Sequence, residues 1–245
     1  MSSVPAGDSR GLLGRTHLTR AMVDSAIDKL LNPVAPHPDA LTVGLAARGD
    51  GAAVSTLLPL ALGERAFEAD PLYFSRTVDK VGGRIRVPYG HALVFVGRRR
   101  GSVVGAAHVA PLVRWLDGHP RALRGALAPL MMEIDALAVR PDCRGAGVGS
   151  ALLLAAEQAT KAQGGSLVLA KVLMADRPVM LWYKRRGYTL VGRGEPVVLK
   201  TRGVMDSLDS ASNEYGLAVK AVRPGHTVRR RHDDELGTYL MLERA

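Results

Sequence analysis

The chain is 245 residues long and 47% apolar, enough to fill the core of one large domain with or without extensions. No apolar run approaches the ~20 residues of a membrane span, residues 1–14 lack the basic and long apolar segments of a secretory signal, and the lone Cys143 has no internal disulfide partner, so a reducing cytoplasm is the expected setting. A formal net charge of +10 suits an anionic ligand and admits nucleic acid as a partner, but only 4% of residues are aromatic and no Phe or Tyr interleaves with the basic runs, which leaves a single-strand stacking platform unsupported.

Residues 1–17 are polar and read as a loose tail. Thr19 is placed to cap a helix over 20–31, with Met22, Val23, Ala26, Ile27, Leu30 and Leu31 on one apolar face. Asn32-Pro33 ends it, so residues 1–40 form an extension that packs on the main domain or on a second copy, which leaves a homodimer open. Residues 41–245 form the main domain. Its first strand is Leu41 to Ala47, closed by Gly49-Asp50-Gly51. Residues 52–70 read as helical with breaks at Pro59 and Gly63, and 73–81 as a further short helix. His91 to Arg98 and Ser102 to Val109 flank Arg99-Arg100-Gly101 as an antiparallel hairpin. A long connection over 111–129, carrying Arg114, Arg121 and Arg124, follows.

The stretch from Glu133 to Gly149 carries the strongest pattern. Ile134, Leu137 and Val139 mark a buried strand, and Pro141-Asp142 breaks it. Next comes Arg144-Gly145-Ala146-Gly147-Val148-Gly149, then a helix from Ser150 to Gln163 stopped by Gly164-Gly165. Glycines leave the backbone N–H groups open to a ligand, and the helix N-terminus and Arg144 add positive charge, so the loop has the form of a diphosphate cradle. It has no Gly-Lys-Ser/Thr ending for a P-loop, and its G-x-G-x-G spacing is not that of a dinucleotide fingerprint. A second buried strand over 166–172 precedes the run from Asp176 to Tyr188, D-R-P-V-M-L-W-Y-K-R-R-G-Y.

Arg144, Gly147 and Gly149 fit Q/R-x-x-G-x-G/A, and the chain here resembles the GNAT superfamily of N-acetyltransferases, whose acetyl-CoA pyrophosphate loop has that form. The run from Asp176 resembles the family's N-x-x-A-x-x-x-Y-x-x-x-G-F helix, with Tyr183 four residues before Gly187, Asp176 in place of Asn and Val179 in place of Ala. The resemblance covers about 41–193 and the last strand. It implies an α/β (α+β) fold: a mixed, mostly antiparallel central sheet with splayed central parallel strands, flanked by helices. It further implies acetyl-CoA as donor and an amine, on a small molecule or a protein, as acceptor.

On this resemblance the thioester carbonyl and pantetheine arm meet the backbone of Leu137, Ala138 and Val139. The diphosphate meets Arg144, Gly145, Ala146, Gly147, Val148, Gly149 and Ser150, with Asp176 close by. Tyr183 takes the place of the general acid toward the departing thiolate, and Glu133 that of the base. Asp135 shares a strand face with Glu133, so either serves. The plainer readings are a core tyrosine and a strand ion pair. Among Lys184, Arg185 and Arg186, one or two reach phosphate, since three consecutive residues do not share a helix face. A covalent role for Cys143 has no neighbouring His in sequence to support it, and the seven histidines show no metal spacing.

Strands are expected at 188–191 and 197–199 and a closing strand at 238–242. Between them residues 200–236 are polar and are expected to be an insertion, either a lid or partner-contact segment beside the acceptor or a plain surface excursion. Two other functions fit the sequence: an acyl-CoA-binding regulatory domain without catalysis, and an acetyltransferase acting on aminoacyl-tRNA, which the net charge would serve.

Overall fold

Two neighbouring strands of the main sheet, Gly90–Arg99 and Ser102–Ala110, form a tight hairpin. Their turn is Arg100-Gly101, and both residues have positive φ (50° and 76°), the two-residue geometry that matches the twist of a tight hairpin. The computed structural model describes residues 39–62, 73–201, 204–208, 214–235 and 237–245. The helix expected over 20–31 and the expected helical residues 63–70 lie outside them.

In chain order the strands are β1 (Thr42–Leu45), β2 (Arg84–Val87), β3 (Gly90–Arg99), β4 (Ser102–Ala110), β5 (Met131–Val139), β6 (Leu167–Leu173), β7 (Thr189–Leu190), β8 (Val197–Thr201), β9 (Val204–Leu208), β10 (Tyr215–Ala221), β11 (His226–Asp233) and β12 (Gly237–Arg244). The helices are α1 (Gly51–Leu57), α2 (Pro59–Leu62), α3 (Tyr73–Val81), α4 (Val113–Asp117), α5 (Arg121–Leu127), α6 (Val148–Ala162) and α7 (Arg177–Lys184). The main sheet runs β1-β3-β4-β5-β6-β10-β7, with β2 also paired to β3. Within this sheet every pairing among the described residues is antiparallel except β5 with β6. The fold is therefore the mixed, mostly antiparallel sheet with flanking helices that the sequence implied.

Both faces of the sheet are covered, which is why β3 and β4 are apolar almost throughout. On one face α6 buries Val148, Leu152, Leu153 and Ala156 against Phe95, Val109, Ile134 and Val168. On the other, Val54 and Leu58, with Phe74 and Val78 of α3, pack on Val94, Val96, Ala106 and Ala138. Pro59 splits the expected long helix into α1 and α2 because it supplies no amide hydrogen to continue the ladder. The expected connection over 111–129 is in fact helical, as α4 and α5.

The largest departure is at 200–236. This stretch is not a polar excursion: among its described residues it supplies β9, β10 and β11. Strand β10 lies in the main sheet against β6, while the expected closing strand 238–242 belongs to β12 in a second, four-stranded sheet ordered β11-β12-β8-β9. That sheet buries Val197, Leu199 and Leu240 against Leu167, Leu169, Leu217 and Val219. Charges conceal the strands in sequence. Arg230 and Arg231 point outward and pair with Glu195 and Glu243 (N–O 2.9 and 2.6 Å), so an Arg-rich run forms an ordered ribbon.

Candidate functional site

Strands β5 and β6 pair only from Met131–Leu167 to Ile134–Ala170, then part. Beyond that point the backbone of 135–139 has no β6 partner, and a cleft of about 1650 Å³ opens there. A β-bulge lies at the same place. Val109 pairs with Ile134 but His108 with Ala136, so Asp135 is one residue too many. Ile134 faces α6 whereas Ala136 and Ala138 face α1 and α3, and the simple period-two pattern is reversed beyond the bulge.

The glycine loop forms one wall. A single turn of 3-10 helix over Pro141–Cys143 leads into it, and Gly145 and Gly147 have φ of 76° and 83°, which only glycine adopts without strain. A Cβ added at either would meet nothing within 4 Å, so both face open space. Gly147 is the N-cap of α6, so the free amides of the helix's first turn point the same way. Gly149 differs: its Cβ would sit 3.3 Å from Trp182, and its smallness serves packing between α6 and α7. Val148 is only 1% exposed and offers the cleft its main chain alone.

The start of α6 is set by two glycines on the sheet. Val148 Cγ1 would be 3.1 Å from a Cβ on Gly97 and 2.8 Å from one on Gly105, so the helix end comes closer to β3 and β4 than any larger residue permits. Cations gather at this end. Arg186 donates from Nε and a terminal nitrogen to Ser150 Oγ (2.9 and 2.5 Å), and its guanidinium lies 4.0 Å from the Trp182 ring centre. Partial burial and the neighbouring Arg185 lower its pKa. Arg144 Nε donates to Val139 O at 3.3 Å, and Arg99 reaches Ala146 O at 3.3 Å.

Of the residues singled out from sequence, Glu133, Asp135, Leu137, Ala138, Val139, Arg144, Gly145, Gly147, Val148, Gly149, Ser150, Asp176 and Tyr183 all border this one cleft. Ala146 does not; only its carbonyl is engaged, by Arg99. Asp176 spends Oδ1 on its own helix, accepting from Val179 N at 3.1 Å as the N-cap of α7. The Tyr183 ring packs edge-on against Trp182 and Tyr188, and burial pushes its phenol well above the usual range, so it stays protonated.

Across the sheet stands a second group of charges. Glu133 is 12% exposed and lies 3.6 Å from Lys171 Nζ. Asp135 Oδ2 is 2.9 Å from His108 Nδ1, and Phe74 meets the His108 ring edge-on. Burial raises the Glu133 pKa, Asp135 raises it further, and Lys171 and His108 oppose the rise. Beyond these carboxylates the cleft is walled by Leu60, Ala61, Trp115, Ser207, Leu208 and Tyr215. Trp115 Nε1 donates to Ser207 O at 3.3 Å and His119 pairs with Asp206, which ties α4 and its following turn to β9.

Sequence reasoning passed over His108, Lys171 and the two tryptophans. Trp182 and Arg186, four apart on one helical turn, carried a readable signal. The other pairings join residues distant in sequence and had none. Among the described residues no cluster of His, Cys, Asp and Glu is arranged to hold a metal ion, and no helix is long and apolar enough to cross a membrane.

A helix N-terminus and glycine loop beside two parted parallel strands define an α/β fold whose cleft suits an anionic ligand. Residues 64–188 match the model of the acetyltransferase (GNAT) family, about half of the chain, and the protein belongs to that family. No curated protein matches the sequence. Among solved structures the chain is similar to an N-acetyltransferase from Staphylococcus aureus Mu50, with 15% identity, 75% of this chain and 99% of that one covered, and a TM-score of 0.50. A GNAT family acetyltransferase from Elizabethkingia anophelis, bound to acetyl-CoA, gives 13% identity over 74% and 97% of the two chains, with a TM-score of 0.46. The ribosomal-protein-S18-alanine N-acetyltransferase from Escherichia coli gives 15% identity over 75% and 94%, again at 0.46.

Proposed function

We propose that this acetyltransferase moves the acetyl group of acetyl-CoA to a primary amine by direct attack, with both substrates bound in one cleft. The observation that carries the reading is the split between β5 and β6, open at Ile134–Ala170 and bordered by a glycine loop with free space at Gly145 and Gly147. The residues present fit a coenzyme of this kind. The unpaired edge of 135–139 offers main-chain hydrogen bonds to an amide-bearing arm, and the amides at the start of α6, with Arg144 and Arg186, suit a diphosphate. When bound, acetyl-CoA supplies an activated thioester.

The chain's own groups do the rest. An ammonium must lose a proton before it can attack, and Glu133, next to the last paired residue Ile134, has a pKa raised by burial. A carboxylate whose pKa is raised is a stronger base than an ordinary glutamate. Asp135, held by His108, flanks it and serves as the alternative proton acceptor. On the opposite side of the sheet Tyr183 keeps its proton and is the candidate donor to the departing sulfur. Base and acid thus approach the split from opposite faces, and a transferred group passes between them.

The test is calorimetry with acetyl-CoA, followed by thiol release against amino acids, polyamines, peptides and aminoglycosides. Binding with turnover of at least one amine is expected. Tyr183→Phe should lower kcat by ~10²–10⁴-fold and leave coenzyme Kd near the parent value. Binding without thiol release for any amine would favour a regulatory binding domain, and no binding would remove the proposal.

A further inference from the structure

One cation in the acceptor half of the cleft is still without a part in the chemistry. Lys171 is the first residue of β6 beyond Ala170, the last that pairs with β5. Val168, Ala170 and Val172 face α6, so Lys171 points to the other side of the sheet, where Glu133 lies. Its Nζ stands 3.6 Å from Glu133 Oε1, and its side chain is 45% exposed. Among the described residues it is the one lysine that borders the cleft. Lys220, by contrast, is held by Glu157 at 2.8 Å on the far side of the sheet. Lys171 is thus an ammonium paired with the proposed proton acceptor at the point where the strands part.

We propose that Lys171 is a self-acetylation site, its ε-amine taking the acceptor's place and receiving an acetyl group within the same molecule. The inference rests on the function proposed above. The Lys171 ammonium gives one proton to Glu133, and its freed lone pair attacks the thioester carbon. The C–N bond forms and the C–S bond breaks, the sulfur leaving with its electron pair. Tyr183 protonates that sulfur, and the second proton lost from nitrogen restores the phenol. Acetyl-lysine and free coenzyme A thiol remain, with one hydrogen left on the amide nitrogen. The product is uncharged, so Glu133 loses its cation and the mouth of the acceptor compartment is partly filled. Modification is therefore self-limiting, and added amine competes with it.

The test is incubation of the full chain with ¹³C-labelled acetyl-CoA at several protein concentrations, without added amine, followed by peptide mapping. Label is expected at Lys171 at least ten-fold above Lys161, Lys184, Lys200 and Lys220, with a rate constant independent of protein concentration. Glu133→Gln should slow it at least ten-fold. Label spread over the exposed lysines, or a rate constant that rises with protein concentration, would overturn the inference. Thiol release to an added amine with Lys171 unlabelled would overturn it while leaving the proposed function standing. Failure to bind coenzyme would instead remove that function. A readout free of turnover is the titration of the Glu133 carboxyl followed by ¹³C NMR without coenzyme. Lys171→Gln, with a neutral side chain like the acetylated one, should move that titration to higher pH; an unmoved titration would show that the two groups do not meet in solution and would also overturn the inference.

Discussion

Replacing Gly105 by alanine tests whether the sheet sets the position of the glycine-loop helix. The new Cβ would lie 2.8 Å from Val148 Cγ1, 3.1 Å from Leu152 Cδ1 and 3.1 Å from the Ala138 carbonyl oxygen. All three neighbours are at most 5% exposed, and one is backbone, so none moves freely. Overpacking of this kind costs about 1–3 kcal/mol. Val148→Ala alone removes two carbons at ~0.8 kcal/mol each, plus a cavity contribution. The double variant loses the shortest of the three contacts, so its destabilisation should fall short of the sum of the single effects by ~1 kcal/mol or more, within the ~0.5–3 kcal/mol found for touching residues. Urea unfolding measures all four proteins, and about 2–4 °C in Tm per kcal/mol is expected for a chain of this size. Calorimetry with acetyl-CoA runs in parallel, because pushing Val148 off the sheet displaces the amides at the start of α6. Weakened binding in Gly105→Ala and recovery in the double variant are expected. Strict additivity, or a Gly105→Ala protein as stable as the parent, would refute the claim that β4 fixes the helix.

Three further predictions concern the cleft. Gly147→Val should strongly reduce acetyl-CoA affinity, since it places a branched side chain in open space and forces a left-handed φ of 83°; titration calorimetry showing unchanged affinity would count against the cradle. Arg186→Met removes a charged donor from Ser150 and the first turn of α6, and at ~1.5–3 kcal/mol should raise the coenzyme Kd roughly 10–100-fold while flattening its salt dependence. Glu133 should show itself in two pH profiles. Its folded pKa lies above the unfolded value near 4.5, so its stabilising contribution is complete below that value and is lost as pH rises through the folded pKa. Glu133→Gln should therefore flatten the stability profile over that interval. It should also remove the limb of kcat/KM that rises with pH as the carboxylate forms, and a profile identical to the parent's would assign the base elsewhere.

The sequence by itself carried the hairpin of β3 and β4, strand β5, the glycine loop with its helix, and strand β6, but not β2 or the helices α4 and α5, and it marked the loop residues that border the cleft. These signals are local: positive-φ glycines, a helix start, a proline break and an apolar strand each act within a few residues. What only the tertiary structure decided is which distant groups meet. The bulge at Asp135 reverses the face of every later β5 residue, and period-two counting has no means of detecting one extra residue in a strand. Lys171 reaches Glu133, and His108 reaches Asp135, through strand register alone. The charged run at 229–231 looked like surface excursion because each arginine is polar in isolation. Its carboxylate partners, at 195 and 243, are brought beside it only by the pairing of β11 with β12 and the packing of the second sheet on the first.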